Sequence, residues 1–170
     1  EADLGPVDVL VNNAGITRDA MAHKMAVDDF DAVLGVHVRG AFLMSRALRP
    51  HVAAAGWGRV VNISSTSALG NAGQTNYSAA KAGVIGFTKA LAAELAAKGV
   101  TVNAICPGYV ATKMVMAIKP EILQSIIDAV PMKRLAKPEE IGGACTYLAS
   151  DLAAFMTGAT MNINGGFYYQ

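Results

Sequence analysis

Tyr77 and Lys81 stand four positions apart in the stretch Asn76-Tyr77-Ser78-Ala79-Ala80-Lys81, and on a helix that spacing stacks two side chains on one face. A tyrosine near its reference pKa of ~10 is a poor acid–base group at neutral pH. A positive charge about 4 Å away, at an effective dielectric of about 20, favours the phenolate by roughly 4 kcal/mol, or about three pKa units. Such a pair suits proton transfer to a carbonyl oxygen. The spacing alone says little, because any surface helix can carry a tyrosine beside a lysine.

The surroundings say more. Upstream, the run Gly58-Arg59-Val60-Val61-Asn62-Ile63-Ser64-Ser65 reads as a strand ending in two hydroxyls. An earlier β-branched run, Val7-Asp8-Val9-Leu10-Val11-Asn12, reads as a buried strand that ends in Asn12-Asn13-Ala14-Gly15. Small residues and amides there let a backbone approach a flat ligand closely. A third strand, Val100–Ile105, breaks at Pro107-Gly108, with Thr112 beyond it able to bond a phosphate or a carboxamide. In a parallel sheet all these ends lie on the carboxyl edge, where such folds bind ligands. A serine at that edge can hold a carbonyl against the tyrosine hydroxyl.

The elements that must position these residues alternate in type. A helical pattern opens at Asp28-Asp29 and runs to about Ala55, bent by Pro50 and stopped by Gly56. Ser67–Gln74 is small and Gly-rich, hence a loop. Asn76–Lys98 is a second long helix with Gly99 as its stop. An irregular stretch reaches Lys119, helices follow near Pro120–Val130 and Pro138–Ser150, and Thr160–Asn164 is a last strand. Apolar strands alternating with helices predict a parallel sheet covered on both faces, in one unit without repeat or linker.

Of the 170 residues, 53% are hydrophobic and 16% charged, which fits strands buried on both faces and surface hidden in an oligomer. The net charge of +1 comes from scattered Lys and Arg, so nucleic-acid binding has no electrostatic footprint. No apolar run reaches the ~18 residues of a membrane span, and the opening Glu-Ala-Asp-Leu-Gly-Pro is no signal peptide. A cytoplasmic location is expected. Cys106 and Cys145 read as reduced thiols in apolar settings. Residues 1–6 read as the tail of a helix running into a strand, so the chain is expected to be the later part of a longer protein.

Taken together, these segments resemble the short-chain dehydrogenase/reductase (SDR) family, and within it the 3-oxoacyl-[acyl-carrier-protein] reductases. The resemblance rests on Asn12–Asp19, Gly58–Ser65, Gly70–Gln74, Tyr77–Lys81, Pro107–Thr112 and Asn164–Gly166. It implies a Rossmann-like α/β fold and an NADP cofactor, with NAD as the other option, and an acyl thioester substrate carried on acyl carrier protein or CoA. It also implies a homodimer or homotetramer, built through the long alanine-rich helices and the C-terminal strand region. Tyr77 would be the general acid, and Lys81 would lower its pKa and bind the nicotinamide ribose. Asn13, Ala14 and Gly15 would line the cofactor, with Pro107, Gly108, Val110 and Thr112 around the nicotinamide. No metal is implied.

The chain departs from the family pattern in three places. The glycine loop T-G-x-x-x-G-x-G that cradles the cofactor phosphates is not in it, nor is the residue that selects NAD or NADP. Residues 1–170 are therefore expected to be the catalytic portion of an SDR domain without its N-terminal βαβ units, binding cofactor poorly alone. His37, in Val36-His37-Val38-Arg39-Gly40, stands where the family has a helix asparagine that holds a water in a proton relay. An imidazole can donate and accept, with a charge that varies near neutral pH; packing alone is the other reading. Val-His-x-Arg-Gly also resembles (3R)-hydroxyacyl-CoA dehydrogenase domains. Finally, counting from the strand selects Ser65 as the catalytic serine, whereas counting back from Tyr77 selects Ser64. Adjacent strand residues face opposite sides, and strand register favours Ser65.

Other residues read as structural. His23 and His51 lack metal-ligand spacing, and Trp57 sits in a Gly-Trp-Gly turn. Arg18 reads as a solvated loop charge, with contact to an acidic carrier or a CoA phosphate as the other reading. Met21, Met25, Met114, Met116 and Met132 border the loops over the substrate, as packing or as the wall of an acyl channel.

Overall fold

The computed structural model describes residues 5–169, except for the side chain of Met114. The expectation for the first four residues, and Met114 as a channel wall, lie outside what is described.

Four strands form one parallel sheet in chain order: β1 (Val9–Asn12), β2 (Gly58–Ile63), β3 (Val100–Pro107) and β4 (Thr160–Ile163). Each crossover is helical. Between β1 and β2 run α1 (Val27–Leu34), a π-helical turn (Gly35–Arg39) and α2 (Gly40–Ala55); α3 (Thr75–Leu95) joins β2 to β3. Three helices lie between β3 and β4, namely α4 (Lys113–Met116), α5 (Pro120–Ala129) and α6 (Pro138–Ala149). The alternation read from the sequence is thus the observed one, a Rossmann-like α/β arrangement. β3 continues two residues past its expected end, through Pro107, and a short α4 interrupts the stretch expected to be irregular.

Successive strand residues face opposite ways, and neighbouring valines in β2 show it. Val60 joins Leu48, Val52, Ala92, Leu95, Val100 and Val102 under α2 and α3, whereas Val61 joins Ile105, Leu148 and Ala153 under α6. Helices on both faces explain why β2 and β3 are buried along nearly their whole length. The first strand departs from expectation. Leu10 packs against the α2–α3 layer, but Val9 and Val11 are 38% and 42% exposed, because α6 packs on β2 and β3 and leaves that face of β1 uncovered.

Two glycines end the long crossovers in the left-handed conformation: Gly56 (φ 69°) after α2, and Gly99 (φ 72°) after the 3-10 turn that follows α3. They are neighbours, since they lie two residues and one residue before the paired strand starts Gly58 and Val100. A methyl group on Gly99 would collide with the carbonyl oxygen of Gly56, whereas one on Gly56 meets nothing. Gly56→Ala should therefore cost only the left-handed penalty of about 1 kcal/mol, and Gly99→Ala roughly twice that or more. Urea unfolding of the two variants side by side checks the order.

Candidate active site

The parallel register brings the carboxyl ends of β1, β2 and β3 to one edge, and α3 begins above it. Between them opens a cavity of about 680 Å³, within the size range of small-molecule sites. It brings together Tyr77, Lys81, Ser65, His37, Asn13, Gly15, Pro107, Gly108, Val110 and Thr112. Of the expected cofactor-edge residues, Ala14 is the exception. It turns to a separate cavity of about 90 Å³ beneath α2, shared with Asn12 and Val84.

The two serines after β2 separate cleanly. Ser64 is 2% exposed and its hydroxyl donates to the Lys81 carbonyl at 2.8 Å, fastening β2 to α3. Ser65 is extended (φ −168°); its Oγ accepts the Ser67 N–H at 3.1 Å, and it shares the cavity wall with Tyr77, whose pKa it lowers. Ser65 is thus the serine that meets the tyrosine.

Lys81 is 4% exposed, and its Nζ donates to the Ile63 carbonyl at 2.7 Å. Nζ lies 5.4 Å from the centre of the Tyr77 ring. The Coulomb argument made from spacing anticipates a lowered tyrosine pKa; the structure differs. Burial pushes the Tyr77 hydroxyl above its ordinary value, the Ser65 hydroxyl pulls against it, and Asp19 adds to the rise. Burial likewise lowers Lys81 to about 8. Desolvation, which disfavours the charged form of either group, outweighs their mutual attraction at this distance.

His37 is 4% exposed in the π-helical turn that joins α1 to α2. Its ring stands edge-on to Tyr77 with centroids 5.2 Å apart. Nε2 lies 3.1 Å from the Ile16 nitrogen and 2.9 Å from the Ile16 oxygen. Burial lowers its pKa, the Ile16 carbonyl opposes that, and the Lys81 charge lowers it further. The glycine at 15 now has a specific reason, because a methyl group there would lie 2.6 Å from the His37 Cε1. Gly108 is a similar case, its missing side chain making room for the backbone of Asn164.

Sequence reasoning missed two supports. Asn76, fully buried, donates to the Arg18 carbonyl at 2.8 Å and accepts the Tyr77 N–H at 2.7 Å, tying the start of α3 to the loop after β1. Asn12 donates to Asn62 at 2.7 Å and Asn62 to Thr88 at 2.9 Å, a buried polar line across β1, β2 and α3. An asparagine at or next to the end of each of the two strands, paired in register as Asn12 and Asn62, was the available signal. Lys113, Val115, Ile141 and Cys145 also line the cavity and were not anticipated. Its charged lining groups are Lys81 and Lys113, with no carboxylate, a balance that fits a polyanionic dinucleotide. Arg18 instead pairs with Asp29 at 3.5 Å on the surface. No group of three or more metal-ligating side chains converges among the described residues, and no described helix is long and apolar enough to cross a membrane.

A parallel sheet with a serine, tyrosine and lysine gathered at its carboxyl edge defines a class of Rossmann-type oxidoreductase, and comparison with known proteins agrees. A family model described as enoyl-(acyl carrier protein) reductase matches residues 1–168. The chain is 63% identical over 171 aligned positions to nodulation protein G of Azospirillum brasilense, covering all of this chain and 70% of that protein. It is 55% identical to an acetoacetyl-CoA reductase of Rhizobium meliloti (99% of this chain, 71% of the relative). It is 48% identical to a 3-oxoacyl-[acyl-carrier-protein] reductase of Synechocystis (94% and 64%). The chain belongs to the short-chain dehydrogenase/reductase family, whose reductases use nicotinamide cofactors.

The lowered Lys81 pKa has a consequence for stability. The unfolded chain binds the lysine proton up to about 10.5 and the folded one only to about 8, so unfolding takes up protons in that window and stability rises with pH there. The raised pKa values of the two cysteines and Tyr77 act oppositely above about pH 9. Between pH 8 and about 9 the protein should therefore gain stability, and Lys81→Met should lose that gain; denaturation midpoints at the two pH values measure it.

Proposed function

We propose that the protein is a reductase of 3-oxoacyl thioesters that uses NADPH and gives the (3R)-hydroxyacyl product. The observation that carries this reading is the Ser65–Tyr77 hydroxyl pair set above Lys81 at the sheet edge. Two hydroxyls converging there suit a carbonyl oxygen, which has lone pairs to take both hydrogen bonds. An enoyl thioester, the group named in the matching family's description, offers such an oxygen only on its thioester carbonyl, two carbons from the one that takes the hydride. The acyl-thioester substrate is supported by the relatives named for acetoacetyl-CoA and 3-oxoacyl reduction.

A dihydronicotinamide held by Asn13, Lys81 and Thr112 would supply the hydride to the carbonyl carbon. Ser65 orients the carbonyl oxygen, and Tyr77 gives it the proton that completes the alcohol. The raised Tyr77 pKa suits this direction, because it keeps the phenol protonated at neutral pH. Lys81, able to lose a proton near pH 8, is the nearest source for restoring the phenol. His37 takes the position of the fourth catalytic partner. Exposed apolar side chains on α2 (Phe42, Leu43, Met44) and near the C-terminus (Phe155, Tyr169) support a homodimer or homotetramer, in the cytoplasm.

Reduction of acetoacetyl-CoA, followed with NADPH and NADH in parallel by the native-length protein, tests the reading; no turnover with either nicotinamide would overturn it. Tyr77→Phe should lower kcat by at least about 10²-fold. Ser65→Ala should lower it by about 10²- to 10³-fold, whereas Ser64→Ala should instead reduce stability by about 1 kcal/mol. Because the reverse reaction needs the phenolate, oxidation of 3-hydroxybutyryl-CoA should rise with pH through the alkaline range while reduction does not.

A further inference from the structure

The backbone of Ile16 presents its N–H and its C=O to the same ring nitrogen of His37, at 3.1 and 2.9 Å. Neither group has another protein partner among the described residues. A neutral imidazole nitrogen either carries a proton or offers a lone pair, so Nε2 serves one of the two groups at a time. An amide side chain would serve both. The contact matters because Gly15 and Ile16 form the β1 edge of the catalytic cavity, and Gly15 rests directly on the His37 ring.

We propose that His37 is a positioning residue whose neutral ring, with its proton on Nδ1, holds the Gly15–Ile16 edge of the cofactor site by accepting the Ile16 N–H at Nε2, so that gaining a second proton takes that acceptor away and loosens the edge. The inference rests on the cavity being the nicotinamide site. A protonated imidazole has donors on both nitrogens and no lone pair. It can still donate to the Ile16 carbonyl, but its Nε2–H then faces the Ile16 N–H donor to donor. The titratable groups around the ring are Tyr77, edge-on to it, and Lys81, whose positive charge acts against a second cation; both come from α3. The β1 edge contributes backbone alone, and no carboxylate acts on the ring. Burial also works against the protonated form, so the neutral, holding state is the one present at neutral pH and the loosened state belongs to acid.

Two-bond proton–nitrogen spectra of the labelled protein report the state of each imidazole, and with three histidines in the chain the signal lost in His37→Gln identifies His37. The glutamine amide reaches about as far as Nε2 and carries a donor and an acceptor. In the wild type, the hydrogen-exchange protection factor of the Ile16 amide should fall about fivefold as His37 gains its proton, the size of one backbone hydrogen bond. In His37→Gln it should stay level over the same range. The dissociation constant for NADPH, followed by fluorescence titration, should rise about fivefold with acid in the wild type alone. Ile16 protection that ignores His37 protonation, or that falls equally in His37→Gln, would overturn the proposal, and the wild-type titration decides even if the variant does not fold. The exchange measurement needs no cofactor, so expected exchange without NADPH binding would sink the cofactor-site reading and leave the proton-sensitive anchor standing.

Discussion

A buried ammonium group is the constraint around which this molecule is arranged. Lys81 lies almost wholly out of water, and placing a charge there costs several kcal/mol unless it is partnered. Its partner is the Ile63 carbonyl at the end of β2, an orphan acceptor because the strand stops there. Ser64 closes the arrangement from the other side by donating to the Lys81 carbonyl. Strand end and helix are thereby fixed to each other within hydrogen-bond tolerance. That fixed relation is what lets Ser65, one residue further on, meet Tyr77, one helical turn earlier. The site is a by-product of how the lysine is accommodated.

Burial also sets the electrostatic character of the site. Tyr77 and Lys81 are both pushed towards their neutral forms, and His37 is pushed the same way. At neutral pH the pocket thus holds one cation, Lys81 with its pKa of about 8, beside a neutral phenol and a neutral imidazole. Such a pocket exchanges protons readily, because no member is locked into its ionised state by a strong pair. The strong pair of this protein lies elsewhere, in the bidentate Arg134–Glu140 contact at the start of α6. There Glu140 is held down at about 2 and acts as a clasp for the helix end.

Much of this was legible in the sequence, for identifiable reasons. Period-two valines and the glycine stops at 56 and 99 marked strands and helix ends, because those signals are local. The choice of Ser65 over Ser64 followed from strand alternation, which is a property of any extended backbone. What was not legible depended on contact across the fold. The direction of the Tyr77 shift turned on how deeply α3 sits against β2, which four-residue spacing does not report. Gly15 read as room for a ligand, and it lines the cavity, but its contact with the His37 ring was not legible. The exposure of Val9 and Val11 depended on where α6 ends, and Asn76 gave no sign that its amide would span from α3 to the β1 loop.

The π-helical turn at 35–39 sets the phase between α1 and α2. A regular helix advances about 100° per residue, so one surplus residue offsets everything after it by that angle. The apolar faces of α1 and α2 are therefore not one continuous stripe; each is aimed independently, with the surplus residue absorbing the difference. Removing any one residue from the turn would restore an ordinary helix at little local cost, yet rotate all of α2 relative to α1. A loop that lies outside the cavity can change length without turning the elements it joins, but between Leu34 and Gly40 the chain length sets the angle between two packed helices.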